Sequence, residues 1–407
     1  MTDPTPALSR NDFSIAIICT LPVEAAAVGA LFDDYPDAKH NESHGKAPGD
    51  TNEYMTGRIG HHNVVLVFMP EMGKGAAAGV AASLRSSYSQ LKLAVLLGVC
   101  GGVPKSPSGH EILLGDVVVS SGVIQYDFGR LYPGKFIRRN SLLHSLHRPG
   151  KEVRTVIAKL KTQMLWGNLS EEIAAHLAAL RANPRTRALA AYPGLAEDRL
   201  FEASYPHKHH SVDECEVCSS MDGQVCSAAQ ESSCQELGCD ESALIPRQRH
   251  DKEFSAEKQH PMVHFGLVAS GDTLMRSGHD RDIIASKESV IAFEMEGAGA
   301  WDILPCVLIK GVSDYADSHK NKKWQGYASA TAAACLKAFL GQWTPEAQPS
   351  HPDNSHRENP KSSTEGPGER HNSPARRPHT SHNVEIEKDV KRSVVASALT
   401  NTGGIDL

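Results

Sequence analysis

No stretch of this 407-residue chain holds the ~18–20 consecutive apolar residues that a helix spanning a bilayer needs, so no membrane span is expected. The opening residues, MTDPTPALSRNDFS, lack a basic segment followed by an apolar one. No secretory signal is therefore expected, and the expected location is cytoplasmic. Neither charge is in large excess. The formal net charge is -6, from 42 Lys and Arg against 48 Asp and Glu, which gives nucleic acid or an anionic membrane no electrostatic hold. No internal repeat is found. Cysteine is sparse over most of the chain: Cys19, Cys100, Cys306 and Cys335 stand singly in apolar stretches and read as reduced core residues. The other five cysteines crowd into 215–239. What remains is ordinary for a soluble globular protein, 40% hydrophobic and 22% charged, and long enough for two or more domains.

Apolar runs alternate with helical patterns. FSIAIIC (13–19) reads as a buried strand leading into the helix of TLPVEAAAVGALF, with Thr20 as N-cap and Pro22 in the first turn. NVVLVFMP (63–70), LAVLLGVCGGVP (93–104), GDVVVSSGVIQYD (115–127), VHFGLVASGD (263–272), SVIAFEMEGAGAW (289–301) and CVLIKGVSDYAD (306–317) supply further strands. GKGAAAGVAASLRSSY (73–88) and GYASATAAACLKAFL (326–340) read as Ala-rich helices. The expected fold is α/β, a three-layer sandwich around a central mixed, mostly parallel sheet. Residues 13–150 and 262–343 form the main domain in this reading. Residues 151–261 interrupt it as an insertion, with a helical piece (LSEEIAAHLAALRA, 169–182) and a Cys/His-rich loop. Residues 344–383 have the Pro, Ser and Glu composition of a disordered linker. Residues 384–407 regain apolar residues, which suits either a frayed tail or a tethered interaction motif.

Ligand sites of open α/β sheets gather at the carboxyl ends of strands, so polar breaks there are informative. Four occur: Glu24, GVCGG at 98–102, FEMEG at 293–297 and SDYAD at 313–317. Burying a carboxylate costs several kcal/mol unless a partner compensates, so two glutamates inside FEMEG point to a site. Each break alone has a plainer meaning: a turn for GVCGG, a solvated helix position for Glu24, an N-cap for Asp314 with Ser313 beside it.

In combination these segments resemble the nucleoside phosphorylase superfamily, which includes purine nucleoside phosphorylases, uridine phosphorylases and methylthioadenosine/S-adenosylhomocysteine nucleosidases. The resemblance covers about 15–145 and 262–341 and rests on IAIICTLPVEAAAV, MGKGAAA, GVCGGV, GDVVVS, ASGD, FEMEGAG and GVSDYADSHKN. WQGYASATAAACLKAFL is similar to the fungal branch, whose domains occur in proteins resembling NOD-like immune receptors. The resemblance implies cleavage of the bond between a base and C1′ of ribose, through a sugar that becomes cationic. It implies that Asp314 protonates the departing purine, that Glu296 holds the ribose hydroxyls and that Met295 packs on the ribose face. Burial would raise the pKa that such an acid needs. Glu294 is expected to line the site or make a structural hydrogen bond. Gly101 and Gly102 would let the backbone approach the ligand, with Ser313 beside the acid, and Thr273, Leu274 and Met275 match the base-stacking position.

Hydrolytic members place a glutamate early in the first helix to orient water, and Glu24 stands there. Phosphorylases carry an arginine and a serine where this chain has Leu96 and Val99, which favours water over phosphate. Gly73, Lys74 and Arg130 keep a phosphate site open, either for free phosphate or for the phosphates of a nucleotide; their plainer reading is solvated surface. The expected partner is a purine, with adenine favoured, as nucleoside or nucleotide. No cofactor is required, and a homo-oligomer stays open. A phosphorylase, or a nucleoside-binding adaptor that recruits a signalling partner through its tail, is the alternative. In the Cys/His-rich loop, Cys215, Cys218 and His207 are candidate structural zinc ligands, against a reduced loop without metal.

Overall fold

The computed structural model describes residues 8–34, 45–133, 135–139, 149–210, 215–219, 225–250 and 260–344; side chains at 163–166 are excepted. The expected linker beyond 344 and the motif at 384–407 lie outside the described residues. In chain order the main elements are β1 (Ile15–Cys19), α1 (Pro22–Gly29), β2 (Glu53–Ile59), β3 (His62–Phe68), α2 (Lys74–Ser87), β4 (Leu93–Gly102), β5 (Val117–Gln125), β6 (Gly129–Tyr132), β7 (Lys135–Arg138), α3 (Lys151–Leu160) and α4 (Gln163–Ala182). Two short turns follow, α5 (Glu216–Ser219) and α6 (Ser227–Glu231). Then come β8 (Val263–Ser270), α7 (Gly278–Glu288), β9 (Val290–Glu294), α8 (Gly297–Ala300), β10 (Cys306–Asp314) and α9 (Gln325–Gly341).

Eight strands form one mixed sheet in the order β10-β5-β8-β9-β4-β1-β3-β2. Most pairings are parallel, which suits strands that are apolar on both faces. The sheet also closes on itself, because β10 pairs with β4 as well as β5. That closure makes β4 the axis of the molecule. Its first half pairs with β1 through Leu96, and its last two residues, Gly101 and Gly102, pair with β9. Between these partners one edge of β4 has no strand beside it among the described residues. Such a switch of partners opens a crevice at strand ends, where ligands bind in α/β sheets.

α9 is buried on nearly every side, with Ala330, Ala332, Ala333 and Leu336 at zero exposure. Alanine is what lets a helix fit between the sheet (β10 and β4) and a second helix layer (α1 and α4). α4, the helical piece of the expected insertion, packs on the main core. Leu169, Ile173, Leu177 and Leu180 recur at helical spacing on one face and join the main core with Val153 and Ile157 of α3. The stretch from Phe201 onward has its own small apolar cluster, formed with Cys218, Ala229, Leu237, Cys239 and Ala243. Cys19, Cys100, Cys306 and Cys335 are buried free thiols, as expected.

Asp116, buried just before β5, ties three segments together. It accepts hydrogen bonds from the Leu113 and Met262 amides, from His264 Nε2 at 2.9 Å, and from Arg249 Nη1 at 2.5 Å. Burial pushes its pKa up, but His264 and Arg249 outweigh burial and bring it down to about 2. A depressed acid stabilises the fold above its unfolded pKa and loses that contribution as pH falls through the folded value. Asp116 is therefore expected to supply about 2 kcal/mol that vanishes between about pH 4 and pH 2. Denaturant unfolding of Asp116→Asn across that window should show a shallower pH slope than the parent, and an equal slope would refute the assignment.

Candidate active site

Glu24 lies in the first turn of α1 and is buried. The N-cap position is Leu21 rather than Thr20, and no side chain at that position caps the helix. The Glu24 carboxylate does the capping instead, with Oε2 accepting from the Thr20 amide at 3.0 Å and the Leu21 amide at 2.9 Å. Its other oxygen accepts from the Val99 amide at 2.9 Å. Val99 lies on the edge of β4 between β1 and β9, so Glu24 fills the place of a missing strand. The approach is close: a Cβ on Gly98 would sit 2.4 Å from Glu24 Oε1. Gly98→Ala is expected to displace the carboxylate and cost about 1–3 kcal/mol from overpacking. Denaturant unfolding checks this, and an unperturbed midpoint would count against the packing described.

Lys310 carries an ammonium on β10 and is buried. Its Nζ donates to Glu296 Oε2 at 3.1 Å and stands 3.7 Å from Glu294 Oε2. Burial lowers the lysine pKa, but Glu296, Glu294 and Glu24 outweigh it and hold the value above that of an ordinary lysine. Glu294 is itself raised, by burial first, against the pull of Lys310. Glu24 is raised for the same leading reason, opposed by Lys310 and by its three amide donors. Three buried carboxylates thus share one ammonium, and the cluster carries more negative than positive groups. Glu294 also accepts the Glu296 amide at 3.0 Å and the Gly297 amide at 2.9 Å, so it holds the turn that presents Glu296.

Asp314 ends β10 beside Gly101. Its Oδ1 accepts the Ala316 amide at 3.0 Å, and its Oδ2 accepts Ser313 Oγ at 2.9 Å and Lys320 Nζ at 2.8 Å. A Cβ on Gly101 would meet both Ala316 Cβ at 2.8 Å and Asp314 Oδ1 at 2.9 Å. Ala316 has φ 52°, a left-handed conformation that is strained for any residue with a side chain. Asp314, Gly101, Met295 and Glu294 line a small cavity with Thr273, Leu274 and Met275. Phe293, Ala316 and Lys320 complete its wall.

Other expected site residues lie elsewhere. Gly102 packs against Val312 inside the sheet. Gly73 caps α2. The Lys74 ammonium sits on Asp127 at 2.6 and 2.7 Å and 3.4 Å from Asp272, and its amide donates to Asp272 Oδ1 at 2.8 Å. Both its cationic and its amide donors are therefore turned to carboxylates. Arg130 is exposed on β6. Lys310 and Lys320 were absent from the sequence-based candidates. A lone lysine inside CVLIKGVSD was a usable signal, because a charge in an otherwise apolar strand needs a buried partner. Lys320 had no such signal.

The fold and site define an α/β protein with buried carboxylates gathered at the strand ends of a mixed sheet. Residues 14–187 match the family model of the phosphorylase superfamily. The chain is 31% identical over 352 residues to a nucleotide-binding leucine-rich repeat (NLR)-like protein of Hyaloscypha variabilis, over 85% of this chain and 31% of that protein. It is 28% identical over 95 residues to an aminodeoxyfutalosine nucleosidase of Helicobacter pylori, over 21% of this chain and 41% of that one. The chain thus spans well under half the length of these curated relatives. A crystal structure of Helicobacter pylori 5′-methylthioadenosine/S-adenosylhomocysteine nucleosidase aligns with a TM-score of 0.47 at 13% identity, covering 82% of this chain and 99% of that one.

Proposed function

We propose that the chain hydrolyses the N-glycosidic bond of a purine nucleoside or nucleotide, with adenine the favoured base. The observation that carries this reading is the gathering of buried acidic groups, Glu296, Glu294 and Glu24, around the single ammonium of Lys310. A cationic ribose in the transition state is attracted by carboxylates placed there, and the neutral ground state is not. Interactions of this kind speed the chemical step. Glu296 hydrogen-bonds the ribose hydroxyls, and Glu24 orients a water and takes its proton. Burial makes Glu24 a stronger base than an exposed glutamate. The water oxygen bonds to C1′, the C1′–N bond breaks, and its electron pair leaves with the base. Asp314, entering the step as the carboxylic acid, delivers its proton to the purine ring; after the base leaves, Glu24 gives its proton to solvent and Asp314 recovers one from solvent, with Lys320 Nζ 2.8 Å away on the same group.

Water is favoured over phosphate because Lys74 faces Asp127 and Asp272, and the β4 positions at 96 and 99 are leucine and valine. The cavity beside Asp314 holds only about 20 Å³, so its wall must open to admit a purine. The test is release of free adenine from adenosine, methylthioadenosine and ATP, with and without phosphate, followed by chromatography. Release without phosphate is expected. Release only with phosphate would make the protein a phosphorylase, and no release from any of the three would reject the reading.

A further inference from the structure

The stretch from Phe201 to Ala243 has an apolar cluster of only a few residues, two of them cysteines. Its helices, α5 and α6, are four and five residues long, too short to be stable through their own hydrogen bonds. Something else must hold it. The described residues of this stretch bring together two sets of metal-ligating atoms. His209, Cys215, Cys218 and Cys226 form one set and His207, Cys234 and Cys239 the other, with all ligand atoms of each set within 4.8 Å of one another. This corrects the sequence-based grouping. His207 does not join Cys215 and Cys218; His209 takes that place, and His207 pairs with the later cysteines.

We propose that this segment binds two zinc ions, one on each set. Zinc bonds to sulfur at about 2.3 Å and to imidazole nitrogen at about 2.0–2.1 Å; a tetrahedral angle then puts nitrogen and sulfur about 3.6 Å apart. His209 Nδ1 lies 3.6 Å from Cys218 Sγ and 3.6 Å from Cys226 Sγ. His207 Nδ1 lies 3.4 Å from Cys239 Sγ and 3.7 Å from Cys234 Sγ. Outer contacts also suit metal. His207 Nε2 stands 2.9 Å from the Ser232 carbonyl, and the proton it donates there leaves Nδ1 as the free ligand. The Cys226 amide donates to Cys218 Sγ and the Ala229 amide to Cys226 Sγ, which supports thiolates.

The first site is closed by four protein ligands, the pattern of a structural zinc. The second has three, so its fourth position falls to water or to His319. Among the described residues neither ring nitrogen of His319 has a hydrogen-bond partner, Nδ1 standing 3.9 Å from Asp317 Oδ1, and its ring packs 5.2 Å from that of His207. The second site also reaches the catalytic loop, because the His207 amide donates to Ser318 Oγ at 2.9 Å, four residues after Asp314. Zinc here would therefore steady the loop that aims the acid.

Metal analysis of the full chain, purified without chelator, is expected to give two zinc ions per molecule. Cys226→Ser and Cys239→Ser should each lose one. Because either variant could misfold, a second readout uses the unmodified protein. Zinc should protect Cys215, Cys218, Cys226, Cys234 and Cys239 from alkylation until a chelator is added, and cobalt(II) exchanged for zinc should give the visible bands of tetrahedral thiolate coordination. One zinc ion, lost in Cys226→Ser and kept in Cys239→Ser, would overturn the second site. Freely reactive thiols, or disulfides recovered by mass spectrometry with no metal bound, would overturn both.

Discussion

Lys310→Met is expected to destabilise the protein by about 3–5 kcal/mol, the usual effect of removing one partner from a buried ionic group. Methionine fills much of the lysine volume, so the loss comes from charge rather than from a cavity. Glu296 and Glu294 would then face each other without the ammonium that lies 3.1 and 3.7 Å from them. The cluster can respond only by taking up protons, so Lys310→Met should lose most stability at high pH, where the carboxylates must ionise. Lys310→Arg keeps the charge and should retain more stability than the methionine variant. Glycosidic cleavage should fall in both variants, because each moves Glu296. Denaturant midpoints measured at two pH values check this, and a methionine variant as stable as the parent at both would rule out the central role given to Lys310.

Asp314→Asn is expected to lower kcat by about 10²–10⁴-fold, the range for loss of a general acid or base, with a much smaller change in KM. The amide oxygen of asparagine can still accept from the Ala316 backbone, so the turn after β10 should persist. Its nitrogen would face Lys320 and repel it, so a modest loss of stability should accompany the loss of rate. Circular dichroism separates the two effects. A variant that turns over like the parent would remove Asp314 from the mechanism, and Lys320 would become the next candidate donor.

Much of this arrangement was legible in the sequence because each carboxylate interrupts an apolar strand or opens a helix. Glu24, Glu296 and Asp314 are all buried, and the plainer reading of Glu24 as a solvated helix position does not hold. The strand segments were legible too, since continuous Val, Ile and Leu runs leave little alternative once bounded by glycine. Three features were not. β2, with Arg58 and Glu53 in its seven residues, pairs at the sheet edge and has no apolar run to announce it. The closure of β10 onto β4 is a pairing between strands about 200 residues apart, which no local pattern encodes. α3 and α4 read as an insertion because they follow a break in the strand pattern, although the apolar face of α4 belongs to the main core. The zinc grouping shows the same limit: spacing identified CxxC, but only three dimensions could choose between His207 and His209.

The left-handed turn at Ala316 limits how far the molecule can be hardened against heat. Its strain is on the order of 1 kcal/mol, and it is retained where the Ala316 amide holds Asp314 and the Ala316 methyl group lies over Gly101. A glycine at 316 would relax that turn and also remove the methyl group that wedges it. An engineer screening only for melting temperature would therefore be drawn toward sequences that let the carboxylate wander. In this fold the most heat-resistant variant and the fastest one are expected to be different proteins.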